Sequence, residues 1–385
     1  MSARRAFGLA MLVAGIAVTP VLGAEQTQIS GPGYVPTEKD ERGLWMQSEE
    51  AERELKQSTF VMRDPDLNAY VRSVFCKTVG EAECKDVRVY ISRTPYFNAY
   101  MAPNGMMVVY SGLFLRTRDE AQFASILGHE YTHYRNRHSI IGFRDLKKQL
   151  GTAVWLAPVG GTLLSTALIG SYFEHSREME AEADAGSIPM LVKAGYDPKA
   201  ASSVWEQLRA EMDATAAARG KKSRKDKNGG IFASHPPTAE RMTVLAKLAE
   251  DAKVTTATDN RRDPYRKALA PYWADFVDDQ IKLNDFGATE FLLGFLAKEG
   301  WTGDLLYARG ELYRARGRPE DLTQAADFYR KAAATPDAPV EAWRGLGLAL
   351  LRSGVAEEGK AALKNYLNKR PDASDKAMIN MLAGG

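Results

Sequence analysis

The sequence predicts an α+β, mainly α protein, with a small sheet in a mixed N-terminal two thirds and an all-helical final third. Three observations predict it. Phe123, Ile126 and Leu127 recur at helical spacing ahead of Gly128-His129-Glu130-Tyr131-Thr132-His133, and Asp119 and Glu120 stand where a helix begins. Three short strand-like runs, 87–91, 98–102 and 106–110, lie just upstream, the last two separated by the turn Pro103-Asn104-Gly105. From Arg262 onward helical patterns follow one another, and Trp343, Leu346, Gly347, Leu350, Gly359, Leu363 and Pro371 carry the spacing of a tetratricopeptide repeat of about 34 residues.

A chain of 385 residues has room for two or three domains of about 100–200 residues each. Its 45% apolar and 26% charged content is that of an ordinary globular protein with a sizeable core. A formal charge of +2 argues against nucleic acid as the main partner.

The first residues read as an export signal. Arg4 and Arg5 precede the apolar run from Ala6 to Val18, and small residues at Val21 and Gly23 prepare a cut after Gly23 or Ala24. The apolar core is short for a membrane span. Export suits the two cysteines, Cys76 and Cys84, which are close enough in sequence for a local disulfide in an oxidising compartment.

Along the mature chain, Ser48 to Gln57 reads as a charged helix capped by Ser48, and Asp64-Pro65-Asp66 opens a second helix with Leu67, Tyr70, Val71 and Val74 on one face. The edge of the following sheet offers an extended substrate backbone a strand to pair with. Gly151 to Tyr172 is the most apolar stretch of the mature chain, but Pro158, Gly160 and Gly161 interrupt it, so it reads as a buried or membrane-touching hairpin. The basic run Lys221-Lys222-x-Arg224-Lys225 reads as a solvated loop.

His129-Glu130-x-x-His133 carries the chemistry. At about 100° per residue the two imidazoles fall within about 40° of one another on one helical face, placed to grip a single zinc ion. Glu130 points about 100° away, able to flank the water such a metal activates. The metzincin pattern fails, because Asn136 and Ser139 stand where it needs glycine and histidine. His138 falls about 140° from His133 on a continuing helix and is placed outside the site. A zinc hydrolase of this type takes a carboxylate as third ligand and keeps a fourth position open. Several acids in Ser176-Arg177-Glu178-Met179-Glu180-Ala181-Glu182-Ala183-Asp184 could serve, and spacing selects none of them. Glu180 and Asp184 lie one turn apart, so one can bind metal while the other orients a histidine. Ala181, Ala183 and Ala185 would let this helix approach the first closely.

Gly128-His129-Glu130-x-x-His133, Ser176-Arg177-x-x-Glu180-x-x-x-Asp184 and Ser234-His235-Pro236-Pro237-x-x-x-Arg241, in that order, resemble metallopeptidase family forty-eight, the HtpX-like and CAAX-prenyl-protease gluzincins. Asn98-Ala99-Tyr100 and Val109-Tyr110-Ser111-Gly112-Leu113 look like the segment that precedes the family's active helix. The resemblance spans roughly 44–248. It implies a gluzincin-type zinc protease domain with one zinc, held by His129, His133 and Glu180. It also implies Glu130 as the general base, Asp184 as the acid supporting the ligands, and Arg241 beside them. His235 would point into the site, either to donate to the oxyanion or to occupy the fourth zinc position and hold the enzyme off.

The expected layout is a signal peptide over 1–23, a metalloprotease domain over 24–258 and a tetratricopeptide-like domain over 262–385. Gly310, Tyr313, Ala326, Phe328 and Pro336 form a poorer upstream repeat, and Trp273, Phe276 and Leu293 a third. Signal, protease and repeats together resemble the family's periplasmic BepA-type members. That implies an envelope endopeptidase acting on misfolded or stalled outer-membrane proteins, its repeats recruiting client or assembly machinery. The alternative is a tetratricopeptide chaperone whose zinc domain is latched or structural.

Overall fold

The computed structural model describes residues 34–150, 176–222, 239–298 and 300–384. The expected signal peptide, the 151–172 hairpin and His235 lie outside the described residues.

Helix α1 (Lys39–Gln57) leads, and Ser48 sits in its middle, donating to the Leu44 carbonyl at 2.8 Å instead of capping it. The helix begins nine residues earlier than its charge pattern suggests, since Leu44 and Glu41 are also buried. In α2 (Pro65–Val79) the Asp64 carboxylate accepts from the amides of Asp66 and Leu67, as the Asp-Pro-Asp start predicts. Tyr70, expected on the buried face, is only half-buried, while Leu67, Val71 and Val74 are fully inside. Cys76, near the end of α2, is bonded to Cys84 across the turn that follows.

The strands β1 (Arg88–Ser92), β2 (Ala99–Met101) and β3 (Met106–Tyr110) form a sheet of order β1-β3-β2. β1 pairs parallel with β3, and β2 pairs antiparallel with it through the turn at Gly105, whose φ of 82° favours glycine. The far edge of β2 pairs with no strand among the described residues. Glu52 of α1 ties the helix to the sheet. Its carboxylate accepts from Arg88 at 2.6 Å, Tyr90 at 2.7 Å and Asn104 at 2.8 Å.

After short α3 (Ser111–Arg116) comes α4 (Glu120–Arg135), capped by Asp119. It is the central element, buried from Glu120 to His133. α5 (His138–Leu150) turns away from its end, and α6 (Arg177–Lys193), capped by Ser176, runs antiparallel beside it. The close approach depends on Gly128, Ala183 and Gly186. Ala183 is fully buried, and a Cβ on Gly186 would meet the Thr132 side chain at 2.6 Å. Ala181 and Ala185, expected in this contact, face outward; the small residues that matter lie one and two positions away. α7 (Ala200–Ala218) and α8 (Ala239–Asp251) close the other side of the pair.

The remaining described chain is helical: α9 (Arg262–Leu269), α10 (Trp273–Lys282), α11 (Phe286–Leu296), α12 (Gly303–Arg316), α13 (Asp321–Ala333), α14 (Glu341–Arg352), α15 (Ala356–Lys369) and α16 (Lys376–Leu382). Small residues set the spacing of the pairs. Tyr329 of α13 wedges between Gly310 and Gly345, where a Cβ would come within 2.6 Å of its ring. The core is continuous with that of the mixed region: Phe276 stacks on Phe114, and Arg116, 1% exposed, holds Glu211 of α7 and Gln280 of α10 together. Among the described residues no helix is long and apolar enough to cross a membrane.

Two predictions test this frame. Gly186→Val should destabilise the protein by about 1–3 kcal/mol in urea unfolding, by forcing α6 off Thr132. Burial opposes ionisation of Glu52, but the hydrogen bonds from Arg88 and Tyr90 win and draw its pKa down to about 2. A depressed carboxylate contributes stability that is fully present above its unfolded value of 4.5 and lost as pH falls towards 2. The urea midpoint should therefore fall more steeply between those values in wild type than in Glu52→Gln.

Candidate metal centre

The site is built on α4 and α6. A single helical turn brings the rings of His129 and His133 to 4.6 Å, with their Nε2 atoms 3.0 Å apart. Glu180, in the first turn of α6, faces both: its carboxylate oxygens lie 3.3 Å from His133 Nε2 and 3.6 Å from His129 Nε2. One donor atom from each of the three residues falls within 4.8 Å of the others, and all three residues are buried. Two imidazole nitrogens and one carboxylate oxygen, converging on one point, are the donor set of a hydrolytic zinc site. The residues present therefore fit the metal.

Each imidazole is held from behind. Asp184 Oδ1 stands 3.0 Å from His129 Nδ1. Arg241 of α8 grips Asp184 with two bonds of 2.6 and 2.7 Å and reaches Glu180 Oε2 at 2.9 Å. Its guanidinium lies 3.9 Å over the Trp205 ring, which covers the site from α7. Burial would raise the pKa of Asp184, but the charge of Arg241 and the bonds from His129 and Arg241 outweigh it and hold the carboxyl below its ordinary value. Glu130, adjacent to His129, is 3% exposed.

His138 belongs here too, contrary to the helical projection. α4 stops at Arg135, Arg137 takes a left-handed conformation with φ 58°, and the chain doubles back. His138 Nδ1 then meets His133 Nδ1 at 2.8 Å, while His138 Nε2 lies 3.2 Å from Glu182 of α6. Burial lowers the His138 pKa against the pull of Glu182, which favours a neutral ring. Sequence reasoning did not name Trp205, placed His138 outside the site, and left Glu182 among the acids that spacing did not select. A cleft of about 360 Å³, walled by Tyr34, Trp45, Met101, Pro103 and Ile140, opens beside His133.

Two histidines a turn apart, joined by a glutamate from an antiparallel helix, define a metal-dependent hydrolase centre, and residues 62–249 match the family model of Peptidase family M48. These residues are an M48 peptidase domain.

The mitochondrial metalloendopeptidase OMA1 of Schizosaccharomyces pombe is 29% identical over 201 residues, 50% of this chain and 56% of that protein. The beta-barrel assembly-enhancing protease of Escherichia coli (strain K12) is 27% identical over 173 residues, 40% of this chain and 35% of its own length. A putative beta-barrel assembly-enhancing protease of Vibrio cholerae is 26% identical over 240 residues, covering 57% and 44%. The chain thus spans between about a third and just over half of these relatives' lengths.

Removing Arg241 should expose how the two buried carboxylates are paid for. Arg241→Met in protein stripped of metal is expected to lose about 3–5 kcal/mol in urea unfolding, the cost of leaving a buried charge unpaired.

Proposed function

We propose that this chain is an exported zinc-dependent endopeptidase. The observation that carries the reading is the convergence of His129, His133 and Glu180 inside an M48 peptidase domain. In this reading the three residues hold one zinc per chain, which when bound supplies the Lewis acid that polarises the scissile carbonyl. Glu130 takes the proton of the attacking water and passes it to the leaving amine nitrogen. Asp184 and Arg241 hold His129 and Glu180 in place. The open edge of β2 accepts an extended peptide backbone, and the cleft beside His133 accepts a side chain next to the bond that breaks.

The finer reading places the enzyme in the periplasm, hydrolysing misfolded or stalled outer-membrane proteins. Its helix pairs, read as tetratricopeptide repeats, recruit client or assembly machinery, and 151–172 is a buried or membrane-touching hairpin. Support comes from the signal-like start of the sequence, the Cys76–Cys84 disulfide and the similarity to proteases named for beta-barrel assembly.

Purified wild type should cleave an unfolded test protein, lose that activity to a chelator and regain it with zinc. Glu130→Gln should keep its zinc and lose about 10²–10⁴-fold in rate. Zinc-loaded wild type without cleavage would favour the chaperone reading or a latched enzyme. In His235→Ala, a loss of rate would assign the oxyanion role, and a gain would identify the latch. Complementation of a deletion strain by Glu130→Gln would favour the chaperone.

A further inference from the structure

The two histidines of the centre are supported unequally. His129 Nδ1 meets a carboxylate directly, at Asp184. His133 Nδ1 meets another imidazole, that of His138, which is 1% exposed and set edge-on with ring centroids 4.9 Å apart.

The protons can be placed on this pair. His133 Nε2 faces His129 and Glu180, so metal binding there requires its lone pair at Nε2 and its proton at Nδ1. That N–H must donate to His138 Nδ1, the atom 2.8 Å away, which therefore carries a lone pair. The proton of His138 is then on Nε2, where Glu182 Oε2 accepts it at 3.2 Å. One set of tautomers satisfies these three contacts, and it runs from the metal face of His133 to an exposed carboxylate on α6.

We infer that His138, oriented by Glu182, is the positioning residue that fixes the tautomer and ring angle of His133. Its place is secured by the backbone. Arg137 is held in the left-handed region, uncommon for a residue with a side chain, and its guanidinium pairs with Glu41 of α1. Asn136 adds a second bond to Glu182, at 3.3 Å. The turn at the end of α4 is thus built to return one imidazole to the back of another.

The inference rests on the metal reading above, and the test separates the two. In the full-length protein, zinc affinity is measured by competition with a chromogenic chelator, alongside the melting temperature of the metal-free form. Outer partners of ligand histidines change metal affinity by about 10–100-fold, and His138→Leu is expected to lose that much. His138→Asn, nearly the same size, can place Oδ1 where Nδ1 accepts and should retain most of the affinity. Equal losses in the two variants would reduce His138 to packing, and an affinity within about twofold of wild type in His138→Leu would overturn the inference outright. Should His138→Leu fail to fold, the exposed position decides: Glu182→Ala should bind zinc more weakly than Glu182→Gln, which keeps an acceptor, and indifference to both would overturn it. Wild type that binds no zinc sinks the metal reading and this inference with it.

Discussion

The centre depends on how near α4 and α6 come to one another. Side chains of ordinary size between two helices hold their axes at about 8–10 Å, and a short Glu180 must reach imidazoles on the facing helix. Gly128 lies 3.6 Å from the backbone of Ser187, measured from where its Cβ would be, and Gly186 leaves no room at all for one against Thr132. Ala183, three residues before Gly186 on α6, is fully buried as well. The three donor residues need this contact to meet, and each of them is held by a helix whose own cap is local: Asp119 for α4 and Ser176 for α6.

Bringing the helices together buries two carboxylates beside two imidazoles, an arrangement that repels itself unless a cation enters. Arg241 enters from α8 and is itself buried, with Trp205 against one face of the guanidinium. A planar fork suits this position, since it binds both oxygens of Asp184 and still reaches Glu180. One residue therefore does two things: it offsets the buried acids, and it steadies Asp184 behind His129.

What was legible in the sequence was what is local in the chain. The mixed, mainly helical class, the three strands, the turn before β3, the Asp64 and Asp119 helix starts and the pairing of Cys76 with Cys84 follow from neighbouring residues. The histidine pair is local too, being one helical turn. Glu180 is some fifty residues downstream, and spacing could not choose it among the acids around it; that choice needed the ordered motifs. His138 was lost because helical projection assumes a helix, and a single left-handed residue, Arg137, ended it. Ser48 failed as a cap because the apolar and buried positions upstream, Leu44 and Glu41, extend α1 beyond it. Ala181 and Ala185 failed because small residues say nothing of which face of a helix they occupy.

Arg116 lies just before the helix that bears the histidines, and its guanidinium joins a glutamate of the mixed region to a glutamine of the helical third. Arg93 and Asp279 make a second tie across the same boundary, and Thr117 meets the Tyr265 hydroxyl there. An arginine this deeply enclosed cannot be left with half its partners. The two parts are thus not interchangeable cassettes: a different helical tail grafted onto this mixed region would have to bring a glutamine or its equivalent to the join, or leave a buried guanidinium short of a partner.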